Sequence, residues 1–230
     1  AGDIGFDRTG QGFIELNFFN LFWIWIIGCF AGCLVETIYC FIERGVIENR
    51  TGLLWGWWSP IYGFGALGMT IILNRFRRKS LLALFVGACL IGAGTEFMVS
   101  WFLEMAFNIK AWDYSGEFLN IAGRTDLFHA LAFGTFGTVW VKCLQTPVVK
   151  LINSIPWKWR YGVTLVAFLF MLANGVMTML SIDCWVNRVN GTNTDTPIEQ
   201  FFAENYPNDW MQQHFETMTI TPDPNRLEKI

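Results

Sequence analysis

Charge is scarce in this chain, and so are the residues that most enzyme sites require. Of 230 residues 15% are charged, two are histidine and six are cysteine, whereas 53% are hydrophobic and 17% aromatic. His129 and His214 alone cannot build a histidine-rich metal centre, and the six cysteines include no Cys-x-x-Cys pair of the kind that grips zinc. There is no glycine-rich phosphate loop, no Ser-His-Asp arrangement and no basic array suited to nucleic acid. Cys29 and Cys33, four residues apart, could bind a soft metal or oxidise, but buried thiols mostly behave as small hydrophobes. No cofactor is specified by these residues.

What is abundant is apolar sequence in long blocks. A helix needs roughly 20 apolar residues to cross a bilayer, and five blocks come near that length: 17–41, 54–74, 81–107, 126–149 and 161–185. The composition is too apolar for a soluble domain. We therefore expect an all-α, polytopic membrane bundle of about five transmembrane helices over residues 17–185, with an N-terminal segment (1–16) and a polar tail (186–230). The first block reads as a span rather than a cleaved signal: it exceeds a typical h-region, follows acidic residues and lacks a small-residue cleavage pattern.

Basic residues set the expected orientation, because cytoplasmic loops hold the lysine and arginine excess. Arg75, Arg77, Arg78 and Lys79 lie between blocks two and three, and Lys150, Lys158 and Arg160 between blocks four and five, a link taken as Pro147 to Arg160 with room for a short helix over Val148 to Ile155. The opposite loops mix Arg44, Arg50, Lys110 and Arg124 with acids. This places the N-terminus in the cytoplasm and the C-terminus outside, in a cell membrane. The tail after Trp185 carries seven acidic residues against three basic ones. It reads as a solvent-exposed, partly ordered extension, although Phe201, Phe202, Trp210 and Phe215 could dock a short helix on the membrane surface. Asn49-Arg50-Thr51 and Asn190-Gly191-Thr192 fit the glycosylation pattern, a weak signal by itself.

Some polar residues sit where lipid should be. Cys29, Cys33, Glu36, Cys40 and Glu43 fall in one sector of the first helix at helical spacing, so that face must meet protein or water. Glu96 lies more than two turns inside the third block and needs a proton, a donor or a wet cavity. Arg124, immediately before block four, is the donor best shaped to grip both carboxylates. Such a Glu36, Glu96 and Arg124 cluster could be a clasp between helices, a ligand or ion site, or an acid-base pair.

In block two Trp55, Trp57 and Trp58 suit an interfacial aromatic belt, Pro60 could open a short helix at its first turn, and Gly63, Gly65 and Gly68 suit either close packing or a broken helix lining a site. Gly32-x-x-x-Glu36 followed by Tyr62-Gly63 is echoed by Gly92-x-x-x-Glu96 followed by Phe133-Gly134. Two hairpins of one orientation would form a parallel repeat, which can enclose a site.

Several ordered motifs resemble a known family. Glu36, Asn49-Arg50-Thr51-Gly52, Pro60-Ile61-Tyr62-Gly63, Glu96-Phe97-x-x-Ser100, Trp112-Asp113-Tyr114-Ser115 and Asn120-x-x-Gly123-Arg124 are similar to the CmpB-like, type IV group of ABC-transporter permeases, which also includes vertebrate multi-pass proteins. The resemblance implies membrane transport, with Glu36, Glu96, Arg124, Asn49, Arg50, Tyr62, Trp112, Asp113, Tyr114 and Asn120 as candidate ligand- or ion-binding residues. Members usually have glycine where this chain has Thr51, and a Gly-Pro where it has Gly56-Trp57. They have no counterpart of the acidic tail. The short inner links also argue against a conventional coupling helix for an ATPase subunit.

The expected function is passage or binding of a small polar or cationic solute through the carboxylate cluster. The alternative is a membrane scaffold or accessory subunit that holds a protein partner or a second copy of itself. Catalysis by the paired carboxylates ranks third, so an enzyme is the less favoured reading.

Overall fold

In the computed structural model, which describes residues 5–8, 10, 12–77, 80–194 and 196–220, the chain is a helical membrane bundle. Arg78, Lys79, Asp195, Asp223, Arg226, Glu228 and Lys229, which entered the charge readings, lie outside the described residues.

Helices α1 (Phe18–Arg44) and α3 (Leu81–Phe107) have 27 residues each. At about 1.5 Å per residue each outreaches the roughly 30 Å hydrocarbon layer. Helices α4 (Leu127–Val139) and α5 (Gln145–Asn153) are joined by a π turn at Trp140–Leu144 into a run of membrane length. Helix α6 (Trp157–Val189) is the longest, at 33 residues. Their ends are set by side chains: Asn17, Ser80 and Asp126 accept N-terminal amides, and Gly45 closes α1 at φ 71°.

Two expectations change. Block two does not supply a fifth full span, because residues 51–59 run as turns and α2 (Pro60–Leu73) has only 14 residues, about 21 Å at 1.5 Å per residue. Gly56 takes a left-handed φ of 81°, and Pro60 lacks the N–H that a longer helix would need, so the helix begins there. The second inner link is likewise shorter than Pro147 to Arg160, being helical as far as Asn153. Pro147 cannot donate to the preceding turn, and the wide π turn just before it accommodates that defect.

Small residues let α1 pack on α2 and α3 on α4. A Cβ on Gly32 would overlap Tyr62, and one on Gly92 would overlap Phe133. Each aromatic ring therefore fills a notch in the opposite helix.

The two ends are closed differently. At one end Asn74 accepts from Phe13 and Ile14 amides at 3.0 and 2.8 Å, while Arg77 lies 3.6 Å over the Phe13 ring. At the other end the tail folds back as α7 (Pro197–Asn205), α8 (Asn208–His214) and a strand β2 (Thr219–Ile220) paired antiparallel with β1 (Ile109–Lys110). Met211 and Phe215 are buried against Leu54, Ile182 and Trp185. Burial of two such side chains contributes about 1.5–3 kcal/mol each, enough to hold an acidic segment on the bundle.

Candidate functional site

Beneath that folded-back tail lies a cavity of about 280 Å3 bounded by α1, α2, α3 and α6. Glu36, Tyr62 and Glu96 reach it from the helices, Asn49 and Arg50 from the first loop, and Trp112 and Tyr114 from the second.

The two carboxylates have unlike surroundings. Glu36 Oε2 accepts from the Tyr62 hydroxyl at 2.6 Å, and Arg50 Nη1 stands 3.6 Å from Oε1. Arg50 also grips Glu48, which Arg44 holds from its other side at 2.9 Å. Glu96 is 4% exposed, and its Oε2 has no hydrogen-bond partner. A buried carboxyl with one oxygen left over gains from keeping a proton or meeting a cation. Tyr114 completes this wall: burial, then the charge of Glu96 and the hydrogen bond to it, push its phenol well above the usual range, so it stays protonated and donates to Glu96. Its ring stacks on His129 at 4.2 Å, and His129 Nδ1 lies 2.5 Å from Asp126 Oδ2.

Seven of the ten candidate residues thus line one cavity, and three do not. Arg124 is paired with Glu104 at 2.6 Å and donates to Ser100 at 3.3 Å, so the expected Glu36, Glu96 and Arg124 cluster is not what forms. Arg124 meets the carboxylate nearest the end of α3, while Arg50, arriving from the α1–α2 loop, takes the role beside Glu36. Asp113 is occupied within its own loop, accepting from the Ser115 amide at 3.0 Å and from Lys110 at 3.2 Å. The Ser115 hydroxyl and amide, then Lys110, hold its carboxyl down at about 2. Asn120 donates to the Ser115 and Glu117 carbonyls and accepts from Gly123. Asp113 and Asn120 shape the loop that delivers Trp112 and Tyr114.

Other contributors escaped the sequence reading. Phe215, Thr217 and Met218 of the tail form part of the wall. His214 Nε2 donates to the Leu53 carbonyl at 2.9 Å and Nδ1 accepts from Asn49 Nδ2 at 3.3 Å, the pattern of a neutral ring. Burial lowers its pKa. The Asn49 amide nitrogen is therefore engaged inside the protein. On α6, Asn174 exchanges bonds with the Trp55 backbone at 3.1 and 2.8 Å, and Thr178 accepts from Leu54 N at 3.0 Å. Both are polar residues in an apolar block, the criterion that singled out Glu36 and Glu96. Among the described residues no group of three or more His, Cys, Asp or Glu side chains is placed to hold a metal.

A family model described as Putative ABC-transporter type IV matches residues 23–179. The chain belongs to this family. No curated protein and no solved structure gives a match. The family region contains both hairpins and the greater part of α6, including Glu36, Glu96 and every loop residue of the cavity between them. The tail that roofs the cavity lies beyond it.

Proposed function

We propose that this type IV family member binds a small polar or cationic solute in the cavity between Glu36 and Glu96 and passes it across the membrane. The observation that carries this reading is the pairing, in one cavity, of a carboxylate already satisfied by Tyr62 and Arg50 with one that has a free buried oxygen. Such an arrangement binds a cation at Glu96 and keeps Glu36 as a fixed, neutralised wall. The end bearing the tail is then external and the end bearing Arg77, Lys142, Lys150 and Arg160 cytoplasmic, in keeping with the positive-inside rule. A coupled ATPase would have to engage the exposed side of α5 around Leu151, since only 154–156 separate α5 from α6.

The test is uptake into vesicles by the wild-type protein and by Glu36→Gln and Glu96→Gln variants. Loss of flux in Glu96→Gln with an unchanged melting temperature is expected; flux at the wild-type rate overturns the reading. A second reading is favoured by the Arg124 to Glu104 pair, which joins the second loop to α3 as a clasp and touches no cavity. In that reading the chain is an accessory subunit, the Gln variants lose thermal stability, and a partner protein is released when residues 186–230 are removed.

A further inference from the structure

A second hollow adjoins the polar cavity. It is a groove of about 500 Å3 on the flank of the bundle where α1, α2 and α6 diverge, and its lining is wholly apolar: Phe18, Leu21, Phe22 and Trp25 on one wall, Phe168 and Met171 on another. Along α6 it runs from Phe168 to Met179, about 16 Å at 1.5 Å per residue. Phe64, Gly175 and Met179 line the groove and the polar cavity alike. The two hollows therefore meet at a common threshold, with carboxylates on one side and hydrocarbon on the other.

The polar side lacks one charge. Arg50 is engaged by Glu36 and Glu48, and Arg124 by Glu104. Glu96 has no cation, although it is more than nine-tenths buried and its Oε2 is unpartnered. Tyr62, Trp112, Tyr114 and Phe133 line the cavity with it, and aromatic rings beside a carboxyl favour an ammonium group over an anion. The apolar side lacks an occupant of another kind. No charged or acidic side chain lines it, so a solute with only a hydrophilic body would leave the groove unused, whereas an alkyl chain would fill it.

We propose that the ligand is an amine-headed lipid, its protonated amine at Glu96 in the cavity, its chain leaving over Gly175 into the groove between α1 and α6. This deepens the solute reading and rests on it: the lipid reaches the site sideways from the bilayer, and the tail segment around Phe215 and Met218 closes the cavity on the aqueous side.

Gly175 makes the inference testable without damage to the fold. A Cβ there would meet nothing within 4 Å, so Gly175→Leu adds bulk to open space at the threshold itself. The protein is purified in detergent and mixed with phosphatidylethanolamine, with phosphatidylglycerol of the same chains, or with free ethanolamine, and retained masses are read by native mass spectrometry. We expect wild type to retain phosphatidylethanolamine at least tenfold over phosphatidylglycerol. Gly175→Leu and Glu96→Gln should each reduce that retention to the phosphatidylglycerol level. If ethanolamine binds in a Glu96-dependent manner but phosphatidylethanolamine is retained equally by wild type and Gly175→Leu, the lipid inference fails and the solute cavity stands. If neither amine depends on Glu96, both fail. Equal retention of the two lipids by every variant means ordinary boundary lipid and also overturns the inference.

Discussion

Trp25, Cys29, Gly32 and Glu36 on α1 and Phe85, Cys89, Gly92 and Glu96 on α3 follow one spacing, and each set meets its partner helix in one manner. Gly32 receives Tyr62 and Gly92 receives Phe133; Gly63 abuts Trp25 and Cys29, and Gly134 abuts Phe85 and Cys89. At the position where the first hairpin has a phenol, the second has a bare ring. The Tyr62 hydroxyl satisfies Glu36 at 2.6 Å, and Phe133 has none to offer Glu96. Glu36 thus has a phenol from its partner helix and Arg50 beside it, whereas Glu96 has the Tyr114 hydroxyl from the loop and keeps Oε2 unpartnered, which is where a ligand has something to gain.

The strongest way to break the comparison is to fill the notches. Gly32→Leu and Gly92→Leu would each force a side chain into space already held by the Cβ and ring of an aromatic residue, and overpacking of this kind costs about 3 kcal/mol or more when neither side can yield. If the hairpins are equivalent, the two variants lower the detergent melting temperature by similar amounts. A loss confined to one of them would show that the likeness is superficial.

Exchanging the odd oxygen sharpens the comparison. Tyr62→Phe removes a charge-assisted donor from Glu36 and should destabilise the protein by about 1–3 kcal/mol. Phe133→Tyr offers the unpartnered Glu96 Oε2 a donor from the partner helix. It should raise the melting temperature and weaken amine binding, since the carboxylate then has an internal partner. A Phe133→Tyr protein that binds amine as well as wild type would mean that Glu96 is not the contact.

Much of this plan was open to inspection in the sequence. The helix spans followed from apolar length, and the repeat from two Gly-x-x-x-Glu patterns. The buried carboxylates stood out because lipid tolerates so few. What escaped was set by turns and long-range folding. The Gly56 and Pro60 geometry that shortens α2 reads equally well as an interfacial belt. The π turn at Trp140–Leu144 lies inside the fourth apolar block, where nothing in the pattern marks it. Arg124 was preferred to Arg50 as the partner of Glu36 for its place before block four, but a one-dimensional pattern does not say which loop folds over which helix end. The tail's apolar residues, Phe215 and Trp210 among them, suggested a docked helix, but their surface is the bundle itself at Leu54, Ile182 and Trp185, which the tail's polarity did not reveal.

That docking also distinguishes the two hairpin loops. His214 grips Leu53, Asn49 and Thr51 of the first loop, with Glu216 accepting from Asn49 N nearby, whereas the second loop meets the tail through the β1–β2 ladder. His214 is held neutral in the folded state, its pKa lowered by burial, while a detached tail would take up a proton near pH 6.5. The unfolded form therefore binds more protons, and the contact is fully present above that pH and weakens as pH falls below it. Hydrogen exchange of residues 208–217 should quicken below about pH 6.5, more than that of α3, and His214→Gln should remove the dependence. Exchange that is flat between pH 5 and 8 would show that His214 does not hold the tail.

The smallest effect tests whether glycines matter here only where a ring approaches. Gly94 on α3 and Gly65 on α2 have nothing within 4 Å of an added Cβ, unlike Gly92 and Gly63 close by in each helix. An alanine there meets no neighbour and restores helix propensity worth about 0.5–1 kcal/mol. Gly94→Ala and Gly65→Ala should therefore melt at the wild-type temperature or slightly above it, and amine binding should not change. A marked loss in either would mean that the flanks of α2 and α3 are covered by something outside this chain, and the contrast drawn between notch and open face would have to be redrawn around that contact.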